Sequence, residues 1–232
     1  MDISVVSKVL RNDPGLRIRD ETRLRVINAV EELQYRPNVY AQGLATARTG
    51  VIGLLVPDFM NPVYAEIISG AEEAARERDL RIWTASSAGY GPDQYSAMIR
   101  DGLVDGLLVA GQRVGDPKPD QMADGHVPTL LVNRRTPGAD RWIILEDQRA
   151  AYTLTQHLLD LGHRDIGFVG DPDYADTGAR RLDGFLTAMA DARLQPSDAH
   201  LISADFSPEG GRAAAEKLLA APEPPTAVVV GN

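Results

Sequence analysis

Apolar positions follow two different rhythms along this chain. Over the first fifty residues they recur at helical spacing. Val5, Val6, Val9 and Leu10 lie on one stripe, and RNDPG then breaks the pattern with Pro14 and Gly15. Arg19-Asp20-Glu21-Thr22 opens a second helix with acids at its positive end, and its stripe is Leu24, Val26, Ile27, Val30 and Leu33. Tyr35-Arg36-Pro37 is expected to end it, because a residue before proline is pushed out of the helical region. From Gly50 onward, strand-length apolar runs alternate with amphipathic segments. The runs are VIGLLVPD, LRIWTAS, VDGLLVAG, PTLLVN, WIILED, DIGFVGD, HLISADF and TAVVVGN. Helices are expected over 64–78, 92–100, 119–125, 150–161, 178–192 and 208–221. Continuous apolar strands alternating with helices mean βαβ units and a parallel sheet, with right-handed crossovers covering both faces. The expected class is α/β, doubly wound, behind a small helical segment.

Charge sharpens the division. Residues 1–49 hold eight Lys/Arg against six Asp/Glu, while residues 50–232 hold sixteen against twenty-seven. The asymmetry points to two parts with different partners. The absence of cysteine removes a disulfide frame, a thiolate nucleophile and a cysteine-ligated metal. MDISVVSKVLRNDPG has neither a long apolar core nor a small-residue cleavage site, so no signal peptide is expected. The longest apolar runs are strand-sized, so no membrane span is expected, and a cytoplasmic location follows as an expectation. The chain begins inside a helical pattern and stops at the carboxyl end of a strand, as a fragment trimmed at both ends would.

Enzyme signatures are missing. The loop after the first strand is PDFMNP rather than a glycine-rich phosphate cradle, and there is no G-x-x-x-x-G-K-[ST], G-x-S-x-G or H-E-x-x-H. His126, His157, His163 and His200 have no metal-ligand spacing, and His157 and His163 flank a helix end, where histidine usually serves the dipole. No cofactor, metal site or catalytic group is expected. The carboxyl ends of the strands are different. They carry Asp58-Phe59 with Tyr64, Ser86-Ser87, Asn133-Arg134, residues 171–177, Asp205-Phe206 and Asn232. Open parallel sheets bind ligands at these ends, and a mix of rings, hydroxyls, amides and charges suits a polar small molecule such as a sugar or nucleoside. Any one of these residues read alone is an ordinary turn residue.

Within the first fifty residues, VVSKVLRNDPGLRIRDETRLRVINAVEELQYRPN resembles the second and third helices of the DNA-binding domain of the LacI/GalR family of bacterial transcriptional regulators. The resemblance continues through VIGLLVPDFMNPVYAEIISGAEEAARERDL, VDGLLVAG, HLLDLGHRDIGFVGDP, TGARRLDGF and PTAVVVGN, and so covers essentially the whole chain. It implies a partial helix-turn-helix domain at 1–37, a hinge helix and linker at 38–49, an N-terminal lobe of a periplasmic-binding-protein-like core at 50–147, and a partial C-terminal lobe at 148–232.

By the same resemblance Ile3, Ser4 and Val5, with Lys8 one turn on, would face base edges in the major groove, Lys8 reaching guanine acceptors or a phosphate, while Ser7 and Arg11 would meet phosphates. Val6, Val9 and Leu10 are core. The family's Thr-Val-Ser-Arg is Val5-Val6-Ser7-Lys8 here, which removes a hydroxyl and a bidentate guanidinium from the reading set. YRPNVYAQGLATARTG resembles the family's hinge helix. Asn38 would cap it, Ala41 would permit close approach, and Leu44 would wedge a minor-groove step. The segment is too short to hold a helix alone, and Gly43 weakens it, so it is expected to fold on DNA against its mate from a second subunit.

In the core, Asp58, Tyr64, Thr177, Arg181, Phe206 and Asn232 match the family's effector positions. Arg181 would take a polar or anionic group, or else form an ion pair on its helix, and Phe206 would stack on a ring. The implied protein is a homodimeric repressor whose hold on double-stranded operator DNA is controlled by a sugar-like effector. Rival readings are a stand-alone sugar-binding protein, an enzyme on a Rossmann-like sheet, and a truncated chain that no longer binds DNA.

Overall fold

The computed structural model describes residues 3–10, 13–35, 48–87, 99, 101–116 and 127–232, with Ile3 and Ser4 described by their backbone. The chain divides into two compact units, residues 1–50 and 51–232. In the first, α1 (Ile3–Leu10) packs on α2 (Asp20–Glu32), with Val9 and Val26 buried between them. The turn joining them is closed by the Asp13 carboxylate, which accepts the Gly15 N–H at 2.8 Å. The predicted α2 stripe is only partly inward. Val26 is buried and Ile27 and Val30 are half-buried, but Leu24 and Leu33 are 59% and 76% exposed. The helix also stops earlier than Pro37 requires. Gln34 turns left-handed at φ 47°, and Tyr35 N–H and Gln34 N–H return to the carbonyls of Val30 and Glu31. This doubly bonded left-handed closure satisfies the orphan carbonyls of the last turn.

The second unit is built from two parallel sheets. The larger joins β1 (Val51–Val56), β2 (Arg81–Ser86), β3 (Gly106–Val109), β4 (Thr129–Val132) and β5 (Trp142–Ile143) in the order β2-β1-β3-β4-β5. The smaller joins β6 (Ile166–Gly170), β7 (Leu201–Ser203) and β8 (Ala227–Val230) in the order β7-β6-β8. Every described pairing is parallel. Alternation sends successive side chains to opposite faces, and both faces are covered. Leu55 joins Leu107, Val109 and Leu131 on one side of the large sheet, while Leu54 and Val56 join Tyr64 and Ala110 on the other. Phe168 and Val169 split in the same way between the two cores of the small sheet.

Among the described residues four further full helices flank the sheets: α3 (Pro62–Arg76), α4 (Asp147–Asp160), α5 (Asp176–Asp191) and α6 (Pro208–Leu219). Two have legible starts. Asn61 and Ser207 cap α3 and α6 by accepting the N–H of Val63 and of Gly210, each with proline at the first helical position. Two expectations are revised. WIILED contributes only the two-residue edge strand β5, because Asp147 already opens α4. HLISADF shrinks to three strand residues after a single 3-10 turn at Asp198–His200. The helix expected over 119–125 lies outside the described residues, as does that over 92–100 except for Ile99, which is helical.

Candidate functional site

The two sheets turn their carboxyl edges toward a shared cleft. In the large sheet the strand order reverses between β1 and β3, and in the small sheet at β6. Such switch points leave a crevice beyond the strand ends, because the connecting helices depart to opposite faces. A cavity of about 300 Å³ lies there, lined from both lobes. Its size is at the small end for small-molecule sites, roughly 300–1,000 Å³.

From the large sheet come Asp58, Asn61 and Tyr64 around the start of α3, and Asn133 and Arg134 directly after β4. Asp58 Oδ1 accepts the backbone N–H of Met60 at 2.7 Å and of Asn61 at 3.0 Å, which fixes the loop entering α3. Tyr64 is buried on the first turn of that helix, with its ring in the core and its hydroxyl toward the cleft. Arg134 is 4% exposed. Its Nη2 donates to the Tyr64 hydroxyl at 2.9 Å, and its Nη1 donates to the Asn133 carbonyl at 2.7 Å and to Thr177 Oγ1 at 3.3 Å. Burial raises the Tyr64 pKa above 10.0; the nearby Arg134 charge and hydrogen bond pull it back only in part.

From the small sheet come Tyr174 and Thr177 after β6, Arg181 one turn into α5, Asp205, Phe206 and Ser207 after β7, and Asn232 after β8. Tyr174 meets Phe206 edge-on at 5.9 Å, and the Arg113 guanidinium stands over its ring at 4.9 Å. The lobes touch directly across the cleft. The Val114 N–H donates to the Tyr174 carbonyl at 2.9 Å, Asn61 Nδ2 donates to Asn232 Oδ1 at 3.2 Å, and Arg134 reaches Thr177.

Below the cleft floor Asp147, the first residue of α4, is buried and holds two arginines of α5. Its Oδ2 accepts from Arg180 Nη1 at 2.5 Å, and its Oδ1 accepts from Arg181 Nε at 2.8 Å and lies 2.7 Å from Nη2. Arg181 Nη1 also donates to the Gly231 carbonyl. Arg181 lines the cavity, and its ion pair runs to the buried Asp147 of α4 rather than along the surface of its own helix.

All six expected effector positions, Asp58, Tyr64, Thr177, Arg181, Phe206 and Asn232, line this one cavity, although they span 175 positions of the chain. Ser86 does not join them; its hydroxyl donates to the Pro57 carbonyl at 3.0 Å. Arg134, named in the sequence among the strand-end residues but not among the six effector positions, also lines the cavity. Asp147 went unassigned, and its only signal was that of an acid in a helix first turn. Of the expected DNA-facing residues, Lys8 is exposed and Val5 and Ser7 are half-buried on α1. Arg11, Asn38, Ala41 and Leu44 lie outside the described residues. Among the described residues no group of His, Asp and Glu could hold a metal, and no helix is long and apolar enough to cross a membrane.

In the chain a two-helix unit is followed by an α/β unit with a cleft at the carboxyl ends of its strands. Comparison with known proteins gives the family. Residues 49–232 match the family described as periplasmic binding proteins and sugar binding domain of LacI family, and residues 3–38 match bacterial regulatory proteins, lacI family. The chain belongs to the LacI family of bacterial transcriptional regulators. It is 33% identical to the HTH-type transcriptional regulator DegA of Bacillus subtilis, over 100% of this chain and 70% of that protein. It is 32% identical to the HTH-type transcriptional repressor PurR of Edwardsiella ictaluri, over 93% of this chain and 64% of the relative. Among solved structures, the transcriptional regulator CelR in complex with cellobiose superposes with a TM-score of 0.72 at 26% identity, covering 97% of this chain and 68% of that one. These relatives are transcriptional regulators rather than enzymes.

Proposed function

We propose that this chain is a transcriptional repressor whose grip on operator DNA is set by a small polar effector held in the cleft. The observation that carries the reading is the cavity itself: donors, acceptors and rings from two lobes converge at the carboxyl ends of two parallel sheets. The proposed division is 1–37 for DNA, 38–49 as hinge, 50–147 and 148–232 as the two effector lobes. Asp58, Tyr64, Thr177, Arg181, Phe206 and Asn232 contact the effector, with Phe206 against its ring face.

On the DNA side, Ile3, Ser4, Val5 and Lys8 read the major groove, Ser7 and Arg11 hold phosphates, and Asn38, Ala41 and Leu44 serve the hinge. A homodimer presents two such units to a pseudo-palindrome in the cytoplasm, and no chemistry is performed on the effector. Because the cleft is bounded by both lobes, an effector that fits one lobe angle better than another shifts that angle. Its affinity then differs between DNA-bound and free protein, and the coupling is reciprocal.

The test is operator selection from random DNA followed by titration at several salt concentrations. A selected sequence bound far more tightly than scrambled DNA, and released or tightened by a small molecule, is the expected result. Small-molecule binding without any sequence-selective DNA affinity would leave only a binding protein.

A further inference from the structure

Three arginines line the cleft. Arg113 is exposed and stands over the Tyr174 ring; the other two differ in electrostatic state. Arg181 has its countercharge in Asp147, at 2.7 Å. Arg134 has none. Its three acceptors, the Asn133 carbonyl, Thr177 Oγ1 and the Tyr64 hydroxyl, are all neutral. No ion pair to Arg134 exists among the described residues, and its Nε is a buried donor without a partner. The acids lining the cavity, Asp58 and Asp205, form no ion pair with Arg134 among the described residues and are held by neutral donors. Asp58 accepts the backbone ahead of α3, and Asp205 Oδ1 accepts the Ser207 hydroxyl at 2.6 Å. A buried cation whose direct partners are all neutral is costly to maintain, and a ligand that brings a negative charge into contact with it recovers part of that cost as binding energy.

Resting on the reading of this cleft as the effector site, we propose that the effector is an anionic sugar derivative, a sugar acid or a phosphorylated sugar, whose charged group sits against Arg134. Arg181, already neutralised, meets uncharged oxygens instead. The Tyr64 hydroxyl accepts from Arg134, so its own proton is free to donate to the same anionic group. Thr177 Oγ1 can do the same from the opposite lobe, which makes the anion a bridge between lobes.

Titration calorimetry on the whole chain tests this with matched probes: D-glucose, D-ribose and cellobiose against D-glucuronate, glucose 6-phosphate and ribose 5-phosphate. The expected result is an anionic probe binding at least about tenfold tighter than its neutral counterpart, the effect of one charge-assisted hydrogen bond, with an affinity that falls as salt rises. The glucuronate and phosphate arms separate the two kinds of anion. Arg134→Gln should abolish the preference and Arg134→Lys should keep part of it. If Arg134→Gln does not fold, the wild-type ratio and the lysine variant decide. Neutral probes binding as well as or better than their anionic partners would overturn the inference while leaving the cleft an effector site, as would a preference unchanged in Arg134→Gln. Failure of every probe to bind would count against the effector-site reading itself.

Discussion

The Arg134 guanidinium donates to the Tyr64 hydroxyl at 2.9 Å, and the two residues are 70 positions apart in the chain. Their meeting ties the end of β4 to the first turn of α3. Tyr64→Phe keeps the ring in its core position and removes the acceptor, leaving a buried charged donor with one fewer partner. The expected cost is about 1–3 kcal/mol, read as a lower urea midpoint with an unchanged slope.

Alkaline titration should find the same residue. The folded chain holds the Tyr64 proton above 10.0 because burial disfavours the phenolate. The unfolded chain loses it at the ordinary value. Stability from this group is therefore full below 10.0 and declines as pH rises through the folded-state value. Tyrosinate absorbance of wild type minus Tyr64→Phe should show one group titrating later than free tyrosine. A difference curve centred at or below the ordinary value would contradict this.

Asp147→Asn removes the charge shared by Arg180 and Arg181. Asp147 and Arg180 are largely buried, whereas Arg181 keeps an edge toward the cleft. The expected loss is about 3 kcal/mol, the low end for breaking a buried pair. Thermal unfolding of the variant measures it. Effector affinity should fall as well, since Arg181 loses the anchor that aims it.

Gly184→Ala should destabilise the protein although alanine is the better helix former. A Cβ at Gly184 would strike the Gln148 backbone carbonyl, where α5 crosses α4. Forcing the helices apart costs about 1–3 kcal/mol against a propensity gain of about 1 kcal/mol. A melting temperature equal to or above wild type would refute this.

Lys8 is exposed near the end of α1. If it meets a phosphate, Lys8→Ala should weaken binding to all DNA sequences alike and reduce the slope of log affinity against log salt by about 0.9. If it reads a base, selectivity at one operator position should relax instead. Filter binding at several salt concentrations separates the two.

Local signals carried far in this chain. The apolar runs announced the strands, and most of the strand-end residues share the cleft, although Ser86 does not. Gly162 ends α4 with φ 96°, a closure the glycine makes legible. The same closure at Gln34, Asp79 and Arg193, all left-handed, carries no such mark. There the carbonyls of the preceding turn recruit whichever residue follows, and the surroundings bear the strain.

By itself the sequence determined the order of strands and helices and the parallel α/β class, because these depend on period and position along the chain; the two lobes and the six effector positions came from the resemblance to a family. Which charge meets which was decided only by tertiary structure. Asp147 pairs with arginines 33 and 34 residues away, and Arg134 is left among neutral acceptors. Electrostatic pairing depends on separations of a few ångströms in space, and those are set by how α4 crosses α5 and how the two sheets face each other, not by spacing along the chain.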